Sequence, residues 1–307
     1  MFNKGAYPTM ITPYNKDGSV DRGALRAHTE WYYNEGCDGI FASCQSSEIH
    51  ELSLSERVGL AGVVKETADR LAKNGRRMTI VASGHVSDRF EDQVKELNEV
   101  AATGVDSLIL ISNRLDIENT SDWMWIKDLD RLVGRLPDIP LGIYECPRPY
   151  KRLLTPAMIA HMTKSGRFAF IKDTCCDPDE IDRRIKLIES TPSDGLKPML
   201  FNANAQTLGE SLKSGGAGYC GVMCNFHPAL YVRFCREPEN EILGAFLSQA
   251  AFIESVNYPT SAKYHLDKIG VRMESFSRVG HQGLTRYERL CVDKMDLLAK
   301  RFEKESG

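Results

Sequence analysis

Short runs of consecutive apolar residues recur along the chain, each followed by a polar loop and then a stretch with helical spacing. The runs fall at 7–12, 39–42, 79–82, 107–111, 141–144, 168–172, 198–202 and 218–222. They are continuous rather than alternating, which is the pattern of strands covered on both faces. Between them, Val58, Ala61, Val64, Ala68 and Leu71 recur at intervals of three and four, as do Phe90, Val94, Leu97 and Ala101. Such stripes predict amphipathic helices. Asp21 and Ser53 stand where N-caps belong, and Glu56 lies three residues after Ser53 in a capping-box pattern. Gly36, Gly104 and Gly166 follow helical stretches, where a left-handed C-cap is needed. Alternating strand and helix predicts an α/β fold with a parallel sheet. Eight such units within about 230 residues predict a closed (β/α)8 TIM barrel over 1–237. Residues 238–307 are expected to be a helical region packed on the barrel, with helices over 242–256, 261–269 and 286–305. A doubly wound open sheet is the alternative, because closure leaves no local signature.

Of the 307 residues, 42% are hydrophobic and 26% charged, the balance of a soluble globular protein with ample core material. The formal charge of −3 implies no broad basic surface, so nucleic acid is not an expected partner. No apolar run approaches the ~18 residues of a membrane span, and residues 1–5 carry no apolar signal core. The expectation is a cytoplasmic protein. Nine cysteines, odd in number and irregular in spacing, with Cys37, Cys220 and Cys291 inside apolar segments, are expected to be reduced.

Chemistry in a barrel of this kind sits at the C-terminal ends of the strands. Lys172 follows four apolar residues in Phe168-Ala-Phe-Ile-Lys-Asp-Thr174. Desolvation there frees an amine as a nucleophile; the alternative is a strand-end lysine that reaches water or pairs with Asp173. Tyr144 ends the preceding run, beside Lys172 in a barrel, where its hydroxyl could shuttle protons or simply pack. The loop Cys44-Gln-Ser-Ser-Glu-Ile-His50 offers Gln45, Ser46 and Ser47 ahead of a helix, suited to a carboxylate or to ordinary capping. Arg114, Arg148, Lys151 and Arg152 cluster on the fourth and fifth strand-end loops, either for an acidic substrate or as a solvated face. Cys220, in the eighth run, is carried as a further substrate contact. His50, His85 and His281 are read as surface or capped histidines with room at the mouth. Gly216-x-Gly218-x-x-Gly221 has a helix before it and a strand after it, the reverse of a dinucleotide fingerprint. Cys220, Cys224 and His227 supply only three metal donors and are read as packing. Vicinal Cys175 and Cys176 are read as loop residues near the site without a redox role.

Tyr-Glu-Cys-Pro at 144–147, Ile-Lys-Asp-Thr at 171–174, Gln-Ser-Ser-Glu at 45–48, Gly-Gly-Ala-Gly at 215–218 and the opening Tyr-Pro-Thr-Met-Ile-Thr-Pro at 7–13 together resemble the dihydrodipicolinate synthase / N-acetylneuraminate lyase family of pyruvate-dependent barrels. The resemblance implies Lys172 as imine former, Tyr144 as proton shuttle for the carbinolamine and the aldehyde oxygen, and Ser46 with Ser47 as carboxylate binders. It also implies a homodimer or homotetramer, in which Trp123 and Trp125, just beyond the fourth loop, serve as interface anchors or pack on their own barrel. No metal or other cofactor is implied. Departures stand at Ser112-Asn113-Arg114, where family synthases carry a tyrosine pair, at Gln45 in place of a hydroxyl residue, and at Pro149, where synthases carry an arginine. The resulting expectation is a Schiff-base lyase, aldolase or dehydratase acting on a 2-keto-3-deoxy sugar acid, with pyruvate as product or co-substrate. A 4-hydroxy-tetrahydrodipicolinate synthase is the alternative within the family. A non-catalytic 2-oxo-acid-binding protein on the same barrel is the alternative of another class.

Overall fold

Apolar runs with helices on either side have no solvated face, and seven of the eight runs contain a parallel strand, while the first lies just after one. The computed structural model describes residues 2–73, 75–280 and 283–304. The strands are β1 (Gly5–Ala6), β2 (Gly39–Phe41), β3 (Thr79–Ala82), β4 (Ser107–Ile111), β5 (Leu141–Tyr144), β6 (Phe168–Asp173), β7 (Met199–Asn202) and β8 (Gly218–Tyr219). They pair in the order β1-β8-β7-β6-β5-β4-β3-β2. The last seam, between β1 and β2, is closed by a parallel Thr9–Phe41 bridge, in which Phe41 N donates to Pro8 O at 2.9 Å and Met10 N to Phe41 O at 3.1 Å. The sheet is therefore a (β/α)8 barrel and not an open doubly wound sheet.

The first and the eighth runs depart most from expectation. The first is interrupted by Pro8, which has no N–H to donate, so β1 ends at Ala6 and Thr9 pairs only as a bridge. The eighth ends at Tyr219, and the chain turns at Gly221 into a 3₁₀ turn over Val222–Asn225. Gly218 lies so close to β1 that a Cβ would sit 1.9 Å from Gly5 O, so glycine is what lets β8 close on β1.

The outer layer consists of α1 (Arg22–Asn34), α2 (Leu54–Ala72), α3 (Phe90–Ala101), α4 (Asp122–Val133), α5 (Pro156–Lys164), α6 (Pro178–Ser190), α7 (Leu208–Lys213) and α8 (Pro228–Arg236). The anticipated caps are present. Asp21 Oδ1 accepts from Ala24 N at 2.9 Å, and Ser53 and Glu56 form a reciprocal capping box. Three more helices follow, α9 (Glu241–Ala250), α10 (Thr260–Lys268) and α11 (Arg286–Lys304). The expected helix over 242–256 stops early: Ala251–Ser255 is a 3₁₀ turn, and the chain then runs irregularly to Pro259. No helix among the described residues is long and apolar enough to cross a membrane.

Inside the barrel, the rings of Tyr7, Phe170 and Phe201 pack with centroids 4.3–5.5 Å apart. Between barrel and helices, Trp125 is fully buried and its Nε1 donates to Ser112 O at 2.8 Å. This tryptophan packs on its own barrel rather than anchoring an interface, whereas Trp123 is 66% exposed. All nine cysteines are free.

Strand side chains alternate in direction, so Glu145 and Asp173, next in line after Tyr144 and Lys172, meet the helix layer. Arg184 of α6 holds both, donating from Nη1 to Glu145 Oε1 at 2.8 Å and to Asp173 Oδ2 at 2.5 Å. Glu145 further accepts from Leu154 N and Thr174 N, each at 2.7 Å. Two carboxylates share one guanidinium in a dry setting. Burial and the Asp173 charge therefore push the Glu145 carboxyl up, while Glu145 and Asp173 carry Arg184 above its ordinary value against the effect of burial. Removing the guanidinium strands two buried acids. Arg184→Ala is expected to lower the unfolding free energy by about 3–5 kcal/mol, measured by urea denaturation; a loss under ~1 kcal/mol would contradict the assignment.

Candidate active site

Tyr144 and Lys172 are register partners on neighbouring strands, so their side chains emerge together at the C-terminal rim. Lys172 is 4% exposed, with Nζ 4.2 Å from the Tyr144 ring centroid and 5.5 Å from that of Phe41. Among the described residues its amine donates to no protein acceptor and forms no ion pair. The pairing with Asp173 that the sequence left open is not formed, because Asp173 is taken by Arg184. A second buried lysine shows the contrast. Lys263 Nζ lies 3.1 Å from Glu48 Oε1 and donates to Phe276 O at 2.6 Å. Burial, opposed by Glu48, pulls Lys263 down to about 8. Of these two buried amines, only Lys172 is left facing a cavity.

Burial pushes the Tyr144 hydroxyl well above its ordinary value, with the Cys146 thiol beside it acting in the same direction. Cys146 Sγ donates to Gln45 Oε1 at 3.3 Å, which links Tyr144 through a thiol to the turn after β2. That turn is a 3₁₀ segment, Gln45–Ser47, closed by Glu48 with φ of 63°. Ser46 Oγ donates to Thr9 Oγ1 at 3.1 Å. The Tyr258 hydroxyl, which burial raises, hydrogen-bonds with Ser46 and Thr9 and accepts from Asn225 Nδ2 at 3.2 Å.

These groups surround one cavity of about 340 Å³. Of the anticipated residues, Lys172, Tyr144, Gln45, Ser46 and Arg148 line it, and so does His50. Burial and the nearby Arg114 and Arg148 charges hold His50 below its ordinary value. Three anticipated contacts lie elsewhere. Ser47 Oγ donates inward to Met10 O at 2.6 Å and accepts from Cys44 N at 3.1 Å, so its hydroxyl belongs to the frame of the turn. Arg114 Nη1 pairs with Asp88 Oδ1 at 2.5 Å, and its guanidinium lines a separate surface hollow with Asp88 and Phe90. Cys220 is buried in the apolar cluster of Phe41, Tyr144 and Phe201 beneath the cavity, where burial raises its thiol to about 12. Arg152 likewise serves the loop: Nη2 pairs with buried Asp116 at 3.0 Å. His85 is buried and bonded, its Nε2 2.7 Å from Gln93 Oε1. His281 lies outside the described residues. No group of three or more potential metal ligands occurs among the described residues.

The sequence reading did not single out Glu254 and Tyr258, which line the same cavity from the 3₁₀ turn after α9 and the irregular stretch that follows it. Their approach depends on where the helix breaks, and Pro259 was the only local hint of that. Glu254 is accessible to solvent yet hemmed in by the cavity walls. Partial desolvation, opposed by the Lys172 charge, pushes its carboxyl up to about 7.

The chain matches the Dihydrodipicolinate synthetase family over residues 3–278. It is 25% identical over 252 residues to a 4-hydroxy-tetrahydrodipicolinate synthase of Anaeromyxobacter dehalogenans, covering 82% of this chain and 80% of that one. It is 27% identical over 231 residues to a synthase of the same name from Methanoculleus marisnigri, covering 75% and 74%. Among solved structures, the E. coli K12 prophage protein YagE, of the dihydrodipicolinic acid synthase family and in complex with pyruvate, superposes with a TM-score of 0.82 at 17% identity over 98% of both chains. CdNal from Clostridium difficile, in complex with mannosamine, gives 0.82 at 14% identity over 96% of this chain and 99% of that one.

The inward hydroxyl of Ser47 has a direct consequence. Ser47→Ala deprives Cys44 N and Met10 O of their partner in a buried setting. It is expected to lower stability by about 1–3 kcal/mol, read by thermal or urea unfolding. An unchanged transition would mean that the hydroxyl does not hold the turn.

Proposed function

The chain belongs to the dihydrodipicolinate synthetase family, a family of class I pyruvate-dependent lyases, and from that premise we propose that Lys172 forms an imine with the 2-oxo group of pyruvate or of a 2-keto-3-deoxy sugar acid. The observation that carries the reading is the buried Lys172 amine, without an ion-pair partner among the described residues and register-matched to Tyr144 at the cavity. A neutral amine adds to the 2-oxo carbon, and loss of water gives a protonated imine, an electron sink for the bond two atoms away. The Tyr144 phenol stays protonated through the neutral range. Its role is to donate one proton while accepting another as the carbinolamine forms and collapses. Ser46 Oγ, already oriented by Thr9, is the side chain suited to the 2-oxo acid's carboxylate.

Within the family, a sugar-derived acid is favoured over aspartate semialdehyde by the loops. Asn113 Nδ2 donates to Cys146 O at 2.7 Å and Arg148 O at 2.8 Å, so the position of the synthases' tyrosine pair here braces the β5 loop instead. Arg148 lines the mouth with its guanidinium available to a remote carboxylate or phosphate. Cavity hydroxyls of Ser46 and Tyr258 suit a polyhydroxylated chain. A protein that merely binds 2-oxo acids on this barrel would need neither the unpaired amine nor the adjacent phenol.

Two tests follow. Incubation with pyruvate and borohydride is expected to attach one reduced pyruvyl group, on Lys172, by mass spectrometry of peptides. Lys172→Arg abolishes it, because a guanidinium with pKa above ~12 offers no free amine. Tyr144→Phe retains pyruvate binding but turns over roughly 10²–10⁴-fold more slowly. Labelling at another residue, or none, would sink the reading. For the substrate, Arg148→Ala is expected to raise KM for a 2-keto-3-deoxy sugar acid about tenfold, the scale of one hydrogen bond to a charged group. Its effect on pyruvate itself should be small. Efficient turnover of aspartate semialdehyde by the wild-type protein would reverse the substrate assignment while leaving the imine intact.

A further inference from the structure

Imine chemistry requires a base at the methyl carbon in addition to a shuttle at the carbinolamine. Once the pyruvyl imine exists, its methyl carbon must lose a proton before it can attack a carbonyl, and the new alkoxide must gain one. The Tyr144 hydroxyl passes protons but stays a phenol well past neutrality. The imine nitrogen is already committed. A third group must reach the methyl carbon from the open side of the cavity.

Glu254 meets that need. It projects from the 3₁₀ turn Ala251–Ser255 into the cavity that holds Lys172 and Tyr144. Its carboxyl makes no hydrogen bond and no ion pair among the described residues. Among the described residues, Lys172 is the one charged side chain whose field acts clearly on it. The other acids around this cavity are occupied or peripheral. Glu48 is tied to Lys263, Ser277 and Arg278, and Glu51 is exposed at the rim. The other titratable groups around Glu254 among the described residues are His50 and Arg148 from the β2 and β5 loops, Cys176 after β6, Tyr219 of β8, Tyr231 of α8 and Tyr258 from its own segment. Burial and the Arg114 and Arg148 charges displace His50 below its ordinary value, and burial displaces Tyr258 above its own.

We propose that Glu254 is the catalytic base that removes the proton from the methyl carbon of the Lys172-bound pyruvyl imine and returns it to the oxygen of the acceptor carbonyl, an assignment that rests on the imine reading above. In the forward step the C–H bond breaks, its proton goes to the Glu254 carboxylate, and its electron pair forms the C2–C3 double bond as the iminium becomes a neutral enamine. In the next step that pair forms the C–C bond to the acceptor. The carbonyl π pair moves to oxygen, which takes the proton back from Glu254. Cleavage runs the same steps in reverse. A carboxyl titrating close to neutrality is suited to both roles.

The test needs no knowledge of the acceptor. In D2O with saturating pyruvate, exchange of the methyl protons is followed by NMR, alongside borohydride trapping on Lys172. Wild-type protein is expected to trap pyruvate and to exchange faster as pH rises through about 7, levelling off above it. Glu254→Gln is expected to trap pyruvate on Lys172 still, to exchange roughly 10²–10⁴-fold more slowly, and to lose that pH limb. Glu254→Asp, which retains a carboxyl, should keep the limb at a reduced rate. Exchange by Glu254→Gln at the wild-type rate overturns the proposal. So does loss of trapping in that variant alone, which would make Glu254 a binding or structural residue. Failure of the wild-type protein to trap would instead remove the imine reading, and this proposal with it.

Discussion

Arg184 reaches from the outer helix layer to Glu145 and Asp173, the residues that directly follow Tyr144 and Lys172 in sequence. Because strand residues alternate between the barrel interior and the helices, fixing the outward pair fixes the inward pair. Thr174 adds to the lock, donating from its N–H and its hydroxyl to Glu145. The same interaction has an electrostatic effect. It removes Asp173, the carboxylate nearest in sequence to Lys172, from the amine's reach. An unpaired buried amine is costly, and the protein sustains it beside two aromatic rings that offer only their faces. The ordering of the rim and the freedom of the amine therefore have a common origin in one buried cluster.

The segments beyond the eighth unit complete the cavity. Lys263 of α10 pairs with Glu48 in the turn after β2, and Ser277 Oγ and the Arg278 N–H also donate to Glu48. This anchors the stretch after α10 to the same turn that presents Gln45 and Ser46. The break after α9 brings Glu254 and Tyr258 across from Lys172. Tyr258 there joins Ser46 and Thr9, so a hydroxyl network is built within one chain. Charges at this site are separated by function: those that hold the frame are paired, while Lys172 and Glu254 are left open to a ligand.

Much of the fold was legible because burial on both strand faces leaves an unambiguous apolar run. The limits of β3, β4 and β5 coincide with runs 79–82, 107–111 and 141–144. The placement of Lys172 and Tyr144 was legible for a related reason, since a residue at the end of such a run emerges at the rim. What failed to show depended on rotation or on distant contacts. Ser46 and Ser47 are adjacent and chemically alike, but a 3₁₀ turn sends one hydroxyl to the cavity and the other into the frame. Arg114 looked available until Asp88, 26 positions away, proved to be its partner. Cys220 is buried in the interior cluster with Phe41 and Phe201 and does not line the cavity, a distinction no local pattern carries. Glu254 lies 82 positions after Lys172 by numbering, and no local pattern joins them.

The central claim is that Lys172 is a free nucleophile held against Tyr144 by the Arg184 cluster. A crystal structure after soaking with pyruvate tests it directly. The account predicts continuous density from Lys172 Nζ to C2 of the ligand, the carboxylate within hydrogen-bond reach of Ser46 Oγ, and the methyl carbon directed toward Glu254. Pyruvate bound elsewhere in the cavity, or held non-covalently with Lys172 turned to a protein carboxylate, would contradict it.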